Sequence, residues 1–275
     1  MELTRDMLQC CSSLISFEYK QTIMEIKNNF KKFLTDQKKD PNDFIKISQF
    51  QEFFDEVAKY LFGNVAIVFG PEPDGTKYYL AEIEFYYKNE KANEKIIKTY
   101  KDDKGKDKIT ESSFYSCTYK RNREAGLLFW HYSGIDICFS SSNNNYGGVL
   151  IRSLIKKVNG GQPELIAGPL RCANELMNQS VLEGKDSIPH ITELKRYNKD
   201  YSIMSTIRQG IETSEKYSDL RSQIKIVDGF AVSKDFPFFC YYVKRGVEEW
   251  ITKVDGKKVR YDANPEKRGI IRKVE

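Results

Sequence analysis

The apolar positions of this chain follow two rhythms. Near the N-terminus they recur every three or four residues. Tyr19, Ile23, Ile26, Phe30 and Phe33 line one side of a predicted helix, and Phe50, Phe53, Phe54, Val57 and Leu61 line a second, the spacing of amphipathic helices packed on a core. Residues 38–41, Lys-Lys-Asp-Pro, break the first helix. Ser48-Gln49-Phe50-Gln51 reads as a capping box at the start of the second, and Gly63 as its end. From residue 64 the period changes to two. NVAIVF (64–69) and KYYLAEIEFYY (77–87) read as strands joined by the turn GPEPDG (70–75). Strands are expected again at 113–119, 127–141 and 148–158, with turns at NNNYGG (143–148) and NGGQPE (159–164). Gly168-Pro169 opens a helix to about Gln179, its proline placed where a missing N–H costs little. A poorly patterned stretch follows, and then strand signals at 224–232, 236–244 and 249–261, the last folded about Asp255-Gly256.

The sum is an α+β chain: one curved, mostly antiparallel sheet flanked by helices. Residues 1–50 form an N-terminal helical extension, and 51–275 the α+β domain. Residues 88–111 hold eight lysines and six acidic residues, which reads as a solvated charged insertion.

Composition narrows the function classes only a little. A hydrophobic fraction of 40% over 275 residues supplies a sizeable core. No apolar run is long enough for a membrane helix, and the first twenty residues lack the basic and apolar regions of a secretory signal. Neither a membrane nor export is expected. Six cysteines include no C-x-x-C pair, and His131 and His190 are the only histidines, poor material for zinc. A reducing, intracellular, cytoplasmic setting follows. The net charge of +5 suits a polyanionic partner but does not require one.

Candidate chemistry sits on two strands. In KYYLAEIEFYY, Ala81, Ile83 and Phe85 share one face, and Glu82, Glu84 and Tyr86 the other. A carboxylate beside an aromatic suits a site that binds a flat ring and activates water; an exposed polar edge is the plainer reading. In GGVLIRSLI (147–155), Arg152 has leucines two residues away on either side. A guanidinium so placed either reaches solvent at a sheet end or is held by a carboxylate, and Glu84 and Glu82 are the candidates.

Four segments in order resemble the alkyladenine (3-methyladenine) DNA glycosylases of the mammalian type. They are AKYLFGNVAIVFGPEPDGTKYYLAEIEFYY (58–87), LLFWHYSGIDICFSSSNNNYGGVLIRSL (127–154), AGPLRCANELMNQ (167–179) and FFCYYVKRGVEEWITKV (238–254). The resemblance implies base excision repair of DNA damage: the N-glycosidic bond of a damaged base is hydrolysed after the nucleotide is flipped out of the duplex. It makes Glu84 the general base for water and Arg152 its partner. Tyr86 would stack on the flipped base, and Phe129 would form another wall. Tyr132 would be the aromatic wedge in the DNA stack. It implies a DNA-bound monomer without cofactor or metal.

Two departures from the family pattern are visible. No histidine lies between Tyr87 and Trp130, where the family has one. An ungapped reading puts Phe139 at the family's pocket asparagine, among the base-binding residues. These departures keep open a second reading, a catalytically inactive or divergent nucleic-acid-binding protein on the same fold. A protein- or small-molecule-binding module is a third, because fold does not fix function.

Overall fold

The computed structural model describes residues 29–34, 36, 43–44, 46–69, 76–88, 95–101, 107–113, 124–141, 146–182, 189–193, 202–208, 222–233, 238–244, 251–254, 257–260, 265 and 269–275. The expected turn at 70–75, the strand continuing to 119, the first helix before residue 29 and the turn at 255–256 lie outside them.

The aromatic stripe at the N-terminus forms helix α1, Ile47–Asn64. Its buried side carries Phe50, Phe53, Phe54, Val57, Ala58 and Leu61. The cap of the helix stands two residues before its expected place, at Lys46 rather than Ser48. Gln49, not Gln51, reaches back: its Oε1 accepts the Lys46 N–H at 3.0 Å. Gln51 lies on the buried side of the helix, where its Oε1 accepts the Phe238 N–H at 2.9 Å. The helix also runs across the expected boundary at residue 50. Phe30 and Phe44, from the supposed extension, belong to the same core as Phe50 and Phe54. Phe33 stacks on Tyr60 at 4.0 Å. The described part of 1–50 is thus built into the domain, because its aromatics complete the packing of α1.

The strands are β1 Val65–Val68, β2 Lys77–Lys88, β3 Lys95–Lys101, β4 Asp107–Ser113, β5 Leu128–His131 and β6 Gly134–Ser141. After them come β7 Tyr146–Lys157, β8 Glu164–Ala167, helix α2 Pro169–Leu182, β9 His190–Glu193 and β10 Ile203–Thr206. The C-terminal part supplies β11 Lys225–Val227, β12 Phe230–Val232, β13 Cys240–Val243, β14 Ile251–Val254, β15 Lys257–Arg260 and β16 Ile271–Lys273. Ten of them make one sheet whose main path is β16-β10-β13-β2-β7-β6-β5, antiparallel at every pairing.

The long pair β2–β7 is the spine, and both of its outer edges fork. Along β2 the partner is β1 at residues 78–79 and β13 at 82–84. Along β7 it is β6 at 146–150 and β8 at 153–156. The β2–β7 ladder slips register at the fork, between Leu80 and Glu82 and between Glu82 and Ile83. Bulges of this kind bend a strand and re-aim its side chains.

Ile83, Phe85 and Tyr87 turn toward α1: Phe85 stacks on Phe54 at 4.4 Å, and Tyr87 lies 5.7 Å from Phe50. Glu84 and Tyr86 therefore take the opposite face. Helix α2 lies on that opposite side. Its Glu175 accepts the Tyr78 hydroxyl at 2.9 Å and pairs with Lys156 at 2.7 Å.

Several expectations change. The charged insertion carries an antiparallel ribbon, β3–β4, paired from Lys95↔Ser113 to Lys101↔Asp107. The strand expected over 127–141 is a hairpin, β5–β6, turning at Tyr132-Ser133. Gly147 and Gly148, expected in a turn, lie inside β7. The strand expected at 224–232 is also a hairpin. Its corner, Asp228 (φ 51°) and Gly229 (φ 80°), has the paired left-handed residues that match the twist of two strands.

Candidate functional site

The fork gathers four charged side chains under the sheet face opposite α1. Glu82, Glu84, Arg152 and Arg208 are 1%, 1%, 5% and 6% exposed, a degree of burial that charges tolerate only when paired. Arg152 bridges the carboxylates. Its Nε meets Glu82 Oε1 at 2.9 Å, and its Nη1 meets Glu84 Oε2 at 3.1 Å. Arg208, just past the end of β10, brings its Nε to 4.0 Å from Glu84 Oε1. The Tyr86 hydroxyl donates to that same oxygen. The Arg208 guanidinium lies over the Tyr86 ring, 4.4 Å from its centroid, a cation–π contact. Glu82 has further supports: Ser153 Oγ donates to its Oε2 at 3.2 Å, and the Cys240 thiol donates to its Oε1 at 3.4 Å.

Two negative and two positive charges thus balance in one buried cluster. Burial alone would lower the Arg152 pKa, but Glu82 and then Glu84 outweigh it, and the group stands well above the ordinary arginine value. Burial, reinforced by the Glu84 charge and opposed by Arg208, pushes the Tyr86 phenol far above its ordinary value. Tyr86 is therefore a hydroxyl donor at any physiological pH.

The cross-strand register extends this face over the sheet. Glu84 stands opposite Leu150, Leu150 opposite Asp136, and Asp136 opposite Phe129, so all four share one side. Phe129 lies roughly 14 Å from Glu84, three strand spacings away. It is only partly buried and stacks on His131 at 5.9 Å. His131 Nε2 stands 3.3 Å from the fully buried Asp136 carboxylate. Its Nδ1 accepts the Ser133 N–H at 3.3 Å, which ties the hairpin turn to the sheet. Tyr132, at the tip of that turn, is 82% exposed.

Of the six residues singled out in the sequence, Glu84, Arg152 and Tyr86 are brought together. Phe129 and Tyr132 lie farther along, on β5 and its turn. Phe139 does not join them. It is 6% exposed, stacks on Tyr87 at 5.7 Å and lies 6.1 Å from Phe54. Its place is in the core under α1, beside Phe85 and Tyr87 and away from the sheet face that carries Glu84 and Tyr86. The register shift of β6 between Cys138 and Ser140 leaves it unpaired and pointing inward. Its alternation with Ile135 and Ile137 is the sequence signal that assigns it there.

Sequence reasoning missed Arg208, which follows a four-residue strand in the stretch with no pattern, and it left Glu82 as an alternative partner when Arg152 holds both carboxylates. Among the described residues, no group of three or more His, Cys, Asp and Glu side chains is placed to hold a metal ion. Cys138, Cys172 and Cys240 are buried and in no disulfide. No helix of the described residues is long and apolar enough to cross a membrane.

No family model matches the chain, and no solved structure matches it. The chain is similar to an uncharacterized protein of Acanthamoeba polyphaga mimivirus, with 24% identity over 212 residues, 72% of this chain and 90% of that protein. That likeness brings no activity with it.

Proposed function

We propose that this protein hydrolyses the N-glycosidic bond of a damaged or modified base flipped out of DNA, with Glu84 directing the water. The observation that carries the reading is the Glu84 carboxylate. It is held by the Tyr86 hydroxyl and by Arg152 on one sheet face, and a neighbouring hairpin of the same sheet presents an exposed Tyr132. In this reaction Glu84 takes a proton from water as the oxygen bonds to the sugar's C1′. The bond from C1′ to the base nitrogen breaks and its electron pair leaves with the base; a neutral base takes a proton from solvent, a cationic alkylated base leaves neutral, and Glu84 returns its own proton to solvent. The sugar passes through an oxocarbenium-like state, which a buried carboxylate stabilises. Tyr86 supplies a ring for the base to stack on once Arg208 has moved off it. Tyr132 fills the gap in the duplex.

The test is base release from duplexes carrying hypoxanthine, ethenoadenine or alkylated purines, read as strand breaks after alkali treatment. Breaks that depend on the protein are expected, and their absence with every lesion overturns the reading.

One observation favours a second reading, a non-catalytic nucleic-acid-binding protein. Arg208 occupies the face of Tyr86 on which a base would stack. That reading expects DNA binding that weakens steeply with salt, with no base released.

A further inference from the structure

We infer that Glu82 is a positioning residue that keeps Arg152 from closing on Glu84; the inference rests on the base-excision reading above. Glu82 lies one residue pair further along β2 and touches none of the atoms that would react. Its contact with Arg152 is through Nε, at 2.9 Å. The contact with Glu84 uses a different nitrogen, Nη1, at 3.1 Å. The guanidinium therefore gives one nitrogen to each carboxylate. A guanidinium facing a single carboxylate takes the two-point fork that its planar geometry favours. With Arg152 forked on Glu84, both Glu84 oxygens would be hydrogen-bonded: Oε1 already accepts from Tyr86, whereas Oε2 now stands 3.1 Å from Nη1 without a hydrogen bond. Water would then have poor access to the oxygen that must take its proton.

The backbone builds this division of contacts. Ser153 stands opposite Glu82 in the β2–β7 ladder, and the register slips on both sides of Glu82. At that slip two successive residues of β7, Arg152 and Ser153, both reach Glu82. Ser153 holds its Oε2 from β7, and Cys240 holds its Oε1 from β13. Glu82 is thus fixed from both neighbouring strands and cannot follow Arg152 toward Glu84. Arg208 is the other cation facing Glu84, and at 4.0 Å it is too far to replace the Arg152 contact.

The experiment compares Glu82→Leu, Glu82→Gln and Ser153→Ala with the wild-type full chain. It reads single-turnover base release, affinity for the same lesion duplex, and the Arg152 Nε–H resonance, assigned through Arg152→Lys. Glu82→Leu is expected to slow base release about a hundredfold, the scale of a small misplacement in an active site, with DNA affinity unchanged. Glu82→Gln keeps an acceptor for Nε and recovers most of the rate. Ser153→Ala, which loosens Glu82 without removing its charge, gives the same split in smaller measure and serves if the leucine variant does not fold. The Nε–H resonance is expected shifted downfield and protected from exchange in the wild type and in Glu84→Gln, and lost in Glu82→Leu. Wild-type turnover in Glu82→Leu overturns the inference, as does an unaltered Nε–H resonance in that variant. Equal damage from glutamine and leucine also overturns it, since charge rather than position would then matter. If the wild type releases no base, the base-excision reading fails by itself. The resonance series still decides whether Glu82 holds Arg152.

Discussion

Replacing Gly147 with alanine tests where Phe139 belongs. A Cβ at residue 147 would stand 2.5 Å from Phe139 Cε2 and 2.8 Å from its Cδ2 and Cζ. Carbon atoms attract at about 3.5–4.0 Å, so this contact is strongly repulsive. The ring has little room to step aside. Tyr87 stacks on it, and Phe53, Phe54 and Phe85 stand 6.2, 6.1 and 6.0 Å away, centroid to centroid. The strain must pass into β6 and β7. Overpacking a well-filled core costs about 1–3 kcal/mol, and a cage of stiff aromatic rings puts this site in the upper half of that range. Phe139→Leu makes room for the new methyl. The double variant should therefore lose less than the sum of the two single variants, with a coupling of about 1–2 kcal/mol. Urea unfolding is the assay. The midpoint of Gly147→Ala is expected to fall with the slope unchanged. An unchanged midpoint, or strict additivity in the double variant, would refute the reasoning, because the Phe139 ring would then be free to turn elsewhere.

Arg152→Ala leaves two buried carboxylates short of their shared cation, and calorimetry should show a loss of about 3–5 kcal/mol. Asp55 holds Arg272 through both of its carboxylate oxygens and also accepts the Tyr241 hydroxyl. Both partners of this ion pair keep 17% side-chain exposure, so Asp55→Ala is expected to cost less than Arg152→Ala, about 2–3 kcal/mol after screening. Tyr132→Ala removes a side chain that is 82% exposed. It should leave stability within about 0.5 kcal/mol while weakening the hold on lesion-containing duplex, which a melt and a binding titration on one preparation would show together. The phenols of Tyr86 and Tyr241 are raised above their ordinary value by burial, and then by Glu84 and Asp55. The folded state keeps both protonated. Their stabilising effect is whole below the unfolded value of about 10 and is lost as pH rises above it. Alkaline titration should therefore show these phenols ionising only together with unfolding. A reversible titration of every tyrosine in the folded protein would contradict this.

The parts of the fold legible in the sequence are those long enough to repeat a pattern. Helix α1 repeats its aromatic stripe over 18 residues. Strands β2 and β7 run 12 residues each, long enough for alternation to set Glu84 and Tyr86 apart from Phe85. The isolated Arg152 among leucines called for either solvent at a sheet end or a carboxylate, and the facing strand supplied two carboxylates. Short elements escaped notice. Strands β9 and β10 have four residues and β16 has three, too few to establish a period, and Arg208 was hidden with them. A single strand is expected over 127–141 because apolar residues flank the turn at Tyr132-Ser133 on both sides. Register slips cannot be read from alternation, so the bulge that lets Arg152 and Ser153 share Glu82 appears only in three dimensions.

The most direct test of the account is Glu84→Gln against the wild type under single-turnover conditions, with a lesion duplex that the wild type processes. Glutamine keeps the shape of the side chain and can still accept from Tyr86, but it cannot take a proton from water. The account predicts that lesion-duplex binding survives and base release is lost. Base release at the wild-type rate in Glu84→Gln would contradict it, and would move the chemistry away from this cluster.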